Sequence, residues 1–303
     1  MKNYALLCAC FLSVAILSGS CKKSGNGGSG TKTTTGKDVN PNTALAVCDF
    51  DSNDTTLTNH GWAKIYDEEF NSSNDLSNWG AVQGGMEKEL ECYEPANVQI
   101  ADGALQITAK QQSVNGPKTV GSDSMQSFNY TSGWIVSKAS FAANSTTPTI
   151  RIVARIKVAS GYGLSSLFWS YGDGAWPTGG EIDYMEVQGN NTKTYATDYD
   201  YGSTADANAV SGGLLYNPTT EDLSACYHVY TMEWTQNSLN SYLDGKLVET
   251  KTAGGFIPSL FNKPQYLSFS LPIGGLYYSN INTANIQGGT MYVDYVKVFA
   301  TGK

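Results

Sequence analysis

The chain has 303 residues and a formal net charge of −8, and 15% of its residues are charged. An acidic chain without a basic cluster argues against nucleic acid as a partner. The length, the 32 Gly and the 19 Tyr are typical of a secreted protein built as one β-sandwich or barrel.

The N-terminal segment is predicted to direct export. Lys2 is followed by an apolar run from Ala5 to Leu17, which is typical of a secretory signal over residues 1–20 and is too short for a membrane span. Small residues before Cys21 indicate a bacterial lipoprotein with Cys21 lipidated, and simple secretion is the alternative. We therefore expect the protein in the cell envelope, with the outer membrane as its anchor and with either face possible.

Composition divides the rest of the chain into a linker and one domain. Residues 21–45 are largely Gly, Ser, Thr, Lys and Asn, which cannot bury a core, so they are predicted to form a flexible linker. Residues 46–303 are predicted to form a single domain.

Strand patterns dominate that domain. Residues 97–100 and 104–109 flank an Asp-Gly pair that predicts a hairpin, and Asp244-Gly245 predicts a second hairpin with a type I′ turn. Residues 150–158 alternate between apolar and polar side chains. Further strands are predicted over 227–235, 239–243, 246–250, 265–271 and 291–299. One short helical turn at 258–261 is the only helical signal, so we predict an all-β antiparallel sandwich.

Aromatic side chains precede an acidic stretch between residues 167 and 186. Trp169 and Tyr171 share one face of a predicted strand, and Trp176 follows in a Gly-rich segment. Sugars present flat C–H faces, so these rings are candidate sugar platforms, with core packing as the alternative. Asp198 and Asp200 lie on one face of a later strand, where they could bind sugar hydroxyls or form a solvated surface.

The acidic stretch reads Glu181-Ile182-Asp183-Tyr184-Met185-Glu186. In a strand, Glu181 and Asp183 share a face, and a bulge at Tyr184-Met185 returns Glu186 to that face. One bulge residue is then expected to join the apolar side chains in the core. Two carboxylates about 5–5.5 Å apart are what a retaining glycosidase needs.

These residues resemble the E-[I/L/V]-D-x-x-E signature of glycoside hydrolase family 16, the laminarinase, lichenase and agarase group. Other segments similar to that family follow in the same order. They are Tyr130–Gly133, Ala154–Lys157, Phe168-Trp169, Tyr227–Tyr230, Glu233–Thr235, Tyr242–Gly245 and Met291–Val296. The resemblance covers about residues 62–300 and implies a β-jelly roll with a substrate cleft on its concave sheet.

The resemblance assigns roles to the three acids. Glu181 matches the family nucleophile, Glu186 the acid/base, and Asp183 the carboxylate that assists between them. Trp176 matches the family Trp near the scissile bond. Glu89 matches a Glu of the family's N-E-L-Q segment.

Several positions that contact sugar in the family differ here. Trp134 stands where the family has Arg, and Ser165 stands where laminarinases have Trp. Ser270 replaces an Asn, and N-E-L-Q reads Lys88-Glu89-Leu90-Glu91. We keep Trp134 and Glu89 as candidate substrate contacts.

The resemblance also implies two stabilising features. Cys48 and Cys226 lie in segments that resemble those of bacterial relatives, so they are the expected disulfide, with Cys92 expected to be free. A structural calcium ion on the convex side would use the carboxylate of Asp294 and the carbonyl of Gly103. With only two His in the chain, a zinc site is not expected.

The expected activity is retaining endo-hydrolysis of a β-linked polysaccharide by a monomer. A β-1,3-glucan or a mixed β-1,3/1,4-glucan is the expected substrate, and an agar-type galactan is the enzymatic alternative. The alternative outside enzymes is a glycan-binding lipoprotein without catalysis. Catalysis needs no cofactor in this scheme, and the lipid anchor is the only expected contact with a membrane.

Overall fold

The computed structural model describes residues 38–205, 210–211, 214–252, 256–275, 278 and 280–302. The predicted signal, Cys21 and residues 21–37 of the predicted linker lie outside this part of the chain. Within the described residues, no helix has the length and apolar character needed to cross a membrane.

Nineteen strands and two α-helices make up the regular structure of the described residues. The first nine strands are β1 (Ala63–Glu68), β2 (Trp79–Ala81), β3 (Gly84–Gly85), β4 (Glu91–Tyr93), β5 (Val98–Ala101), β6 (Ala104–Pro117), β7 (Met125–Ser132), β8 (Trp134–Phe141) and β9 (Thr149–Lys157). The remaining strands are β10 (Ser165–Gly172), β11 (Glu181–Gln188), β12 (Thr194–Tyr201), β13 (Val210–Ser211), β14 (Leu215–Pro218), β15 (His228–Thr235), β16 (Ser238–Leu243), β17 (Lys246–Thr252), β18 (Gln265–Ser270) and β19 (Gly289–Ala300). The helices are α1 (Asp54–Asn59) and α2 (Ile257–Leu260), and short 3-10 turns span Ser73–Asn78, Pro95–Asn97 and Thr283–Asn285.

The strands form two sheets that pack face to face as a β-jelly roll. The 8-stranded sheet follows the order β13-β12-β11-β10-β18-β8-β2, with β14 also paired to β12. The 11-stranded sheet follows the order β17-β16-β15-β9-β19-β6-β7-β4-β3, with β1 on β19 and β5 on β6. The strands pair antiparallel, except that β4 and β7 are parallel. The predicted sandwich is therefore correct.

Alternation along the strands fills the space between the two sheets. In β9, Ile150, Ile152, Ala154 and Ile156 are buried in the main core. In β10 and β18, Phe168 and Phe269 stack with ring centroids 4.6 Å apart. Because every second residue of β10 enters this core, the residues between them face the other side of the sheet, where the cleft lies.

The hairpin turns form at the Asp-Gly pairs. Asp102 and Gly103 have φ of 54° and 73°, and Asp244 and Gly245 have φ of 48° and 74°. Positive φ at both central residues is the requirement of a type I′ turn. Asp244 is buried as well, and its carboxylate accepts hydrogen bonds from the backbone N–H groups of Val47 and Val229.

The segment from residue 38 to 45 is docked on the domain, so the prediction of a linker up to residue 45 is wrong for these residues. Val39 forms a parallel bridge with Tyr216, and Ala44 forms another with Thr219. The backbone N–H of Asn40 donates to the carbonyl of Tyr216 at 2.8 Å, and that of Ala44 donates to the carbonyl of Pro218 at 2.7 Å. Main-chain pairing with β14 positions this segment, which its polar composition did not indicate.

Two further contacts fix the chain that follows. Cys48 and Cys226 form a disulfide, the pair expected from the sequence, while Cys92 is free and buried. Arg155 donates to the carbonyl of Phe50 at 2.9 Å and pairs with Asp294 at 2.7 Å.

Candidate active site

Strand β11 carries the acidic signature and contains the predicted bulge. Asp183 pairs with Asp198 of β12, whereas Glu186 pairs with Ala196, so two residues of β11 lie opposite one residue of β12. The same irregularity appears against β10. The extra residue returns Glu186 to the face of Glu181 and Asp183.

Both bulge residues enter the core. Tyr184 is 2% exposed and Met185 is fully buried, beside Ile182 and Val187. The expectation that only one bulge residue points inward was therefore wrong. The Tyr184 hydroxyl lies 2.6 Å from the Ser170 hydroxyl of β10, so this buried polar group has a partner. The bulge is thus held from behind by packing and by a hydrogen bond.

Three carboxyl groups meet on the cleft side of β11 and β12. Glu181, Asp183 and Asp200 each place an oxygen within 4.8 Å of the others, and their exposures are 5%, 5% and 6%. Burial and the charges of Glu181 and Glu186 raise the pKa of Asp183 well above its usual value. Burial and Glu181 raise the pKa of Asp200 to about 9. Both Asp side chains thus favour the protonated form more than a free Asp does, and a protonated carboxyl can donate a hydrogen bond to a neighbouring carboxylate.

The sequence indicated Asp200, like Asp198, as a possible contact to sugar hydroxyls, but the structure places its carboxyl group beside Glu181 and Asp183. It pairs directly with Glu181 across β11 and β12. Asp198 pairs with Asp183 and is 7% exposed, and it accepts a hydrogen bond from the backbone N–H of Tyr199 at 2.8 Å. The i, i+2 spacing of the two Asp residues was the available signal. The sequence does not show the register between β11 and β12, and that register places Asp200 opposite Glu181.

Trp176 contacts the predicted nucleophile. Its Nε1 donates to Oε2 of Glu181 at 2.8 Å, and its side chain is buried. An indole N–H can only donate, so this contact favours the ionised form of Glu181. The loop that carries Trp176 closes tightly, since a Cβ on Gly179 would lie 2.6 Å from the backbone of Gly172. Glycine is therefore required where the loop leaves β10 and enters β11.

An aromatic cluster lies next to β11 on the side of β10, opposite to the side of β12. Successive ring centroids lie 5.4, 5.6, 5.3 and 6.2 Å apart. Its members in order are Tyr93, Trp134, Trp169, Tyr171 and Tyr266. Trp134 and Trp169 are only 3% and 6% exposed, so they form a packed floor, whereas Tyr171 presents more surface.

Two serine hydroxyls accept hydrogen bonds from the buried indole N–H groups of Trp134 and Trp169. Nε1 of Trp134 donates to Ser268 at 2.7 Å, and Nε1 of Trp169 donates to Ser270 at 3.1 Å. Trp134 pairs directly with Ser270 across β8 and β18. Two departures from the family pattern, Arg to Trp and Asn to Ser, thus lie side by side, with a large ring beside a small hydroxyl.

Glu89 lies at the far end of the aromatic cluster. It accepts a hydrogen bond from the Tyr93 hydroxyl at 2.9 Å. Burial and the neighbouring Glu91 raise the pKa of Glu89 well above its usual value. Glu91 accepts a hydrogen bond from the backbone N–H of Ile273 at 2.9 Å. Glu89 therefore lies at the Tyr93 end of the aromatic cluster, whereas Glu181 pairs with Tyr171 near its other end.

The expected calcium ligands lie near one another in sequence register. Val293 pairs with Leu105 near the start of β6, so Asp294, in the middle of β19, lies near Gly103, which directly precedes β6. The carboxylate of Asp294 is already neutralised by Arg155. Among the described residues, no group of three metal-binding side chains includes Asp294. A calcium ion here would depend on backbone carbonyls and water for most of its ligands, which suits a weak site.

Comparison with known proteins identifies the family. The model of glycosyl hydrolases family 16 matches residues 87–297. Glucan endo-1,3-beta-glucosidase A1 of Niallia circulans is 29% identical over 261 residues, which cover 82% of this chain and 36% of that protein. Keratan-sulfate endo-1,4-beta-galactosidase of Sphingobacterium multivorum is 28% identical over 262 residues, covering 82% of this chain and 57% of that protein.

A solved structure supports the same assignment. The endo-beta-1,3-glucanase of Pyrococcus furiosus superposes with a TM-score of 0.66 at 26% identity, over 79% of this chain and 94% of that one. This chain spans about a third of the length of the Niallia relative and somewhat over half of the Sphingobacterium relative. With the matched region spanning the bulged acidic strand and most of both sheets, the chain belongs to glycosyl hydrolase family 16.

Proposed function

We propose that this protein is a retaining endo-glycosidase that hydrolyses a β-linked polysaccharide. The observation that carries the proposal is the arrangement on β11 and β12. Glu181, Asp183 and Asp200 share a buried cluster, and Trp176 donates to Glu181. Glu186 lies on the same face because of the bulge.

The chemistry follows from these positions. Glu181 attacks the anomeric carbon and forms a glycosyl-enzyme ester as the glycosidic C–O bond breaks, while Glu186 gives its proton to the leaving oxygen. Water then attacks the same carbon, Glu186 takes its proton, and the Glu181 ester is released as a carboxylate. Asp183 and Asp200 lie beside Glu181 with raised pKa values, and their carboxyl groups hold the Glu181 carboxylate in place between the two steps.

A β-1,3-glucan or a mixed β-1,3/1,4-glucan is the proposed substrate. The names of the Niallia and Pyrococcus relatives support this choice. A galactan is the second candidate, since the Sphingobacterium relative is named for a galactosidase activity, and Trp134 replaces the family Arg. Release of reducing sugar from laminarin, lichenan, agarose and porphyran separates the two.

The catalytic assignment is tested by conservative variants. Glu181→Gln and Glu186→Gln should each lower kcat by several orders of magnitude while the fold is retained. Azide should restore turnover to Glu181→Gly by acting as an external nucleophile. Near-normal turnover in either Gln variant would contradict the assignment. If the wild-type protein binds one of these four polysaccharides but hydrolyses none of them, it is the glycan-binding lipoprotein without catalysis.

We also propose that Cys21 is lipidated and anchors the domain to the outer membrane of the cell envelope. The small residues before Cys21 support this. Cys21→Ala should release the protein from the membrane fraction and leave catalysis intact. A mature N-terminus at another residue would refute the anchor.

A structural calcium ion at Asp294 and Gly103 remains a separate proposal. Their closeness beside the Val293–Leu105 pair supports it, and the Arg155 pairing predicts weak binding. Chelation should lower the melting temperature of the purified protein, and an unchanged melting temperature would refute the site.

A further inference from the structure

A pocket opens beside Glu186 on the side of β11 that faces away from the aromatic cluster. It has a volume of about 170 Å³ and is lined by Glu186, Gln188, Asn191, Thr194, Val39 and Tyr216, among others. A cavity of roughly 150 Å³ holds a six-membered ring such as benzene. The pocket therefore has room for one sugar ring.

The N-terminal segment builds one wall of this pocket. The backbone N–H of Asn40 donates to the carbonyl of Tyr216 at 2.8 Å, and that of Tyr216 donates to the carbonyl of Asp38 at 3.0 Å. The side-chain amide of Asn40 donates to Asn217 at 2.9 Å and to the carbonyl of Val248 at 3.1 Å. Val39, between these contacts, is 54% exposed. Its side chain is thus held at the pocket by a buried neighbour rather than by its own packing.

The lining suits a sugar. Val39, Tyr216 and Pro218 offer apolar surface for C–H faces, and Gln188, Asn191 and Thr194 offer amide and hydroxyl groups for hydrogen bonds. Few charges line it apart from Glu186, so a neutral sugar is the ligand class it fits.

We propose that this pocket is the subsite for the leaving-group sugar, and that Val39, held in place by the backbone pairing of Asp38 and Asn40 with Tyr216, completes it. The inference rests on the proposed function. Glu186 lines the pocket and Glu181 does not. The group that protonates the leaving oxygen must contact the departing part of the chain, whereas the nucleophile contacts the retained part.

The other side of the same sheet indicates where the retained sugars bind. Four of the five rings of the aromatic cluster lie on β10, β18 and β8, across β11 from β12 and β14, and the fifth, Tyr93, lies on β4. A polysaccharide that crosses the sheet meets the aromatic cluster on one side of the catalytic acids and the pocket on the other. The retained sugars then lie over the aromatic cluster and the departing sugars beside Val39.

The test compares two substrates that differ in their leaving group. A disaccharyl β-fluoride releases fluoride and leaves the pocket empty, while a polysaccharide must fill it. Val39→Trp places a large ring in the pocket from an exposed position, so folding is not at risk. Leu45→Trp is the matched control, since Leu45 is 53% exposed in the same segment and does not line the pocket.

For Val39→Trp we expect the ratio of kcat/KM on polysaccharide to kcat/KM on fluoride to fall about tenfold, which corresponds to about 1.4 kcal/mol. Leu45→Trp should keep the wild-type ratio. Asn40→Ala should lower the ratio as well, because it releases the wall from Asn217 and Val248. The fluorides are tested in both gluco and galacto configurations.

The remaining outcomes distinguish a failure of this inference from a failure of the proposed function. If Val39→Trp and Asn40→Ala keep the wild-type ratio while the wild type turns over both substrates, the inference is wrong and the proposed function stands. If Leu45→Trp lowers the ratio equally, the effect does not come from the pocket. A wild type that turns over neither substrate refutes the proposed function itself.

Discussion

Replacing Asp200 with Asn should change how the stability of the protein depends on pH. The folded protein raises the pKa of Asp200 to about 9, through burial and the charge of Glu181. In the unfolded chain the pKa of an Asp is about 3.9. Between these two values, Asp200 is protonated when folded and ionised when unfolded.

Whether stability rises or falls with pH depends on which state, folded or unfolded, binds more protons. A raised pKa gives a contribution that is fully present below the unfolded pKa and is lost as pH rises through the folded pKa. Because unfolding releases one proton in this window, the free energy of unfolding falls by about 1.4 kcal/mol per pH unit from Asp200 alone. Asn cannot ionise, so Asp200→Asn should remove about that slope, and its stability gain should grow from pH 5 to pH 8.

The measurement is chemical denaturation of wild type and variant at pH 5, 6, 7 and 8. Asp222→Asn is the matched control. Burial acts to raise the pKa of Asp222, but hydrogen bonds from Ser224 and Thr192 outweigh it, so its pKa lies below the usual value. Its contribution changes only in acid, so Asp222→Asn should shift stability by a constant amount across this range. A difference between wild type and Asp200→Asn that is also constant with pH would refute the reasoning.

Three further predictions concern the site, the disulfide and the core. Trp176→Phe removes the donor to the Glu181 carboxylate, a charge-assisted hydrogen bond of about 1.5–3 kcal/mol, so kcat/KM should fall by about 10- to 150-fold. A loss below threefold in steady-state assays would contradict this role. Cys48→Ser with Cys226→Ser opens a loop with a sequence separation of 178 and should cost about 3–5 kcal/mol in denaturant unfolding. Phe168→Ala removes a fully buried ring from between the sheets and should cost about 3–5 kcal/mol, and a cost below 1 kcal/mol would show that the core refills the space.

Local patterns in the sequence were sufficient for much of the fold. The alternation over residues 150–158 predicted β9, and positive φ at Asp244-Gly245 follows from the Asp-Gly pair itself. The spacing of the acids predicted the bulge because a strand has a period of two. Such features depend on neighbours in sequence, and a single chain shows them directly.

What the sequence did not predict depends on partners far away in the chain. Asp200 becomes a site residue because β12 pairs with β11 in one register. Helix α1 is six residues long and is capped by Asn53, with too few residues for a helical period to show. The burial of Trp134 depends on Ser268 and Trp169, which only the sheet brings together.

The docked segment has a consequence for solubility. Strand β14 lies at the edge of the 8-stranded sheet, and residues 38–45 pair with its backbone groups. An edge strand with open N–H and C=O groups is a template for the strands of other molecules. The segment thus protects the sheet that carries the acids from edge-to-edge association.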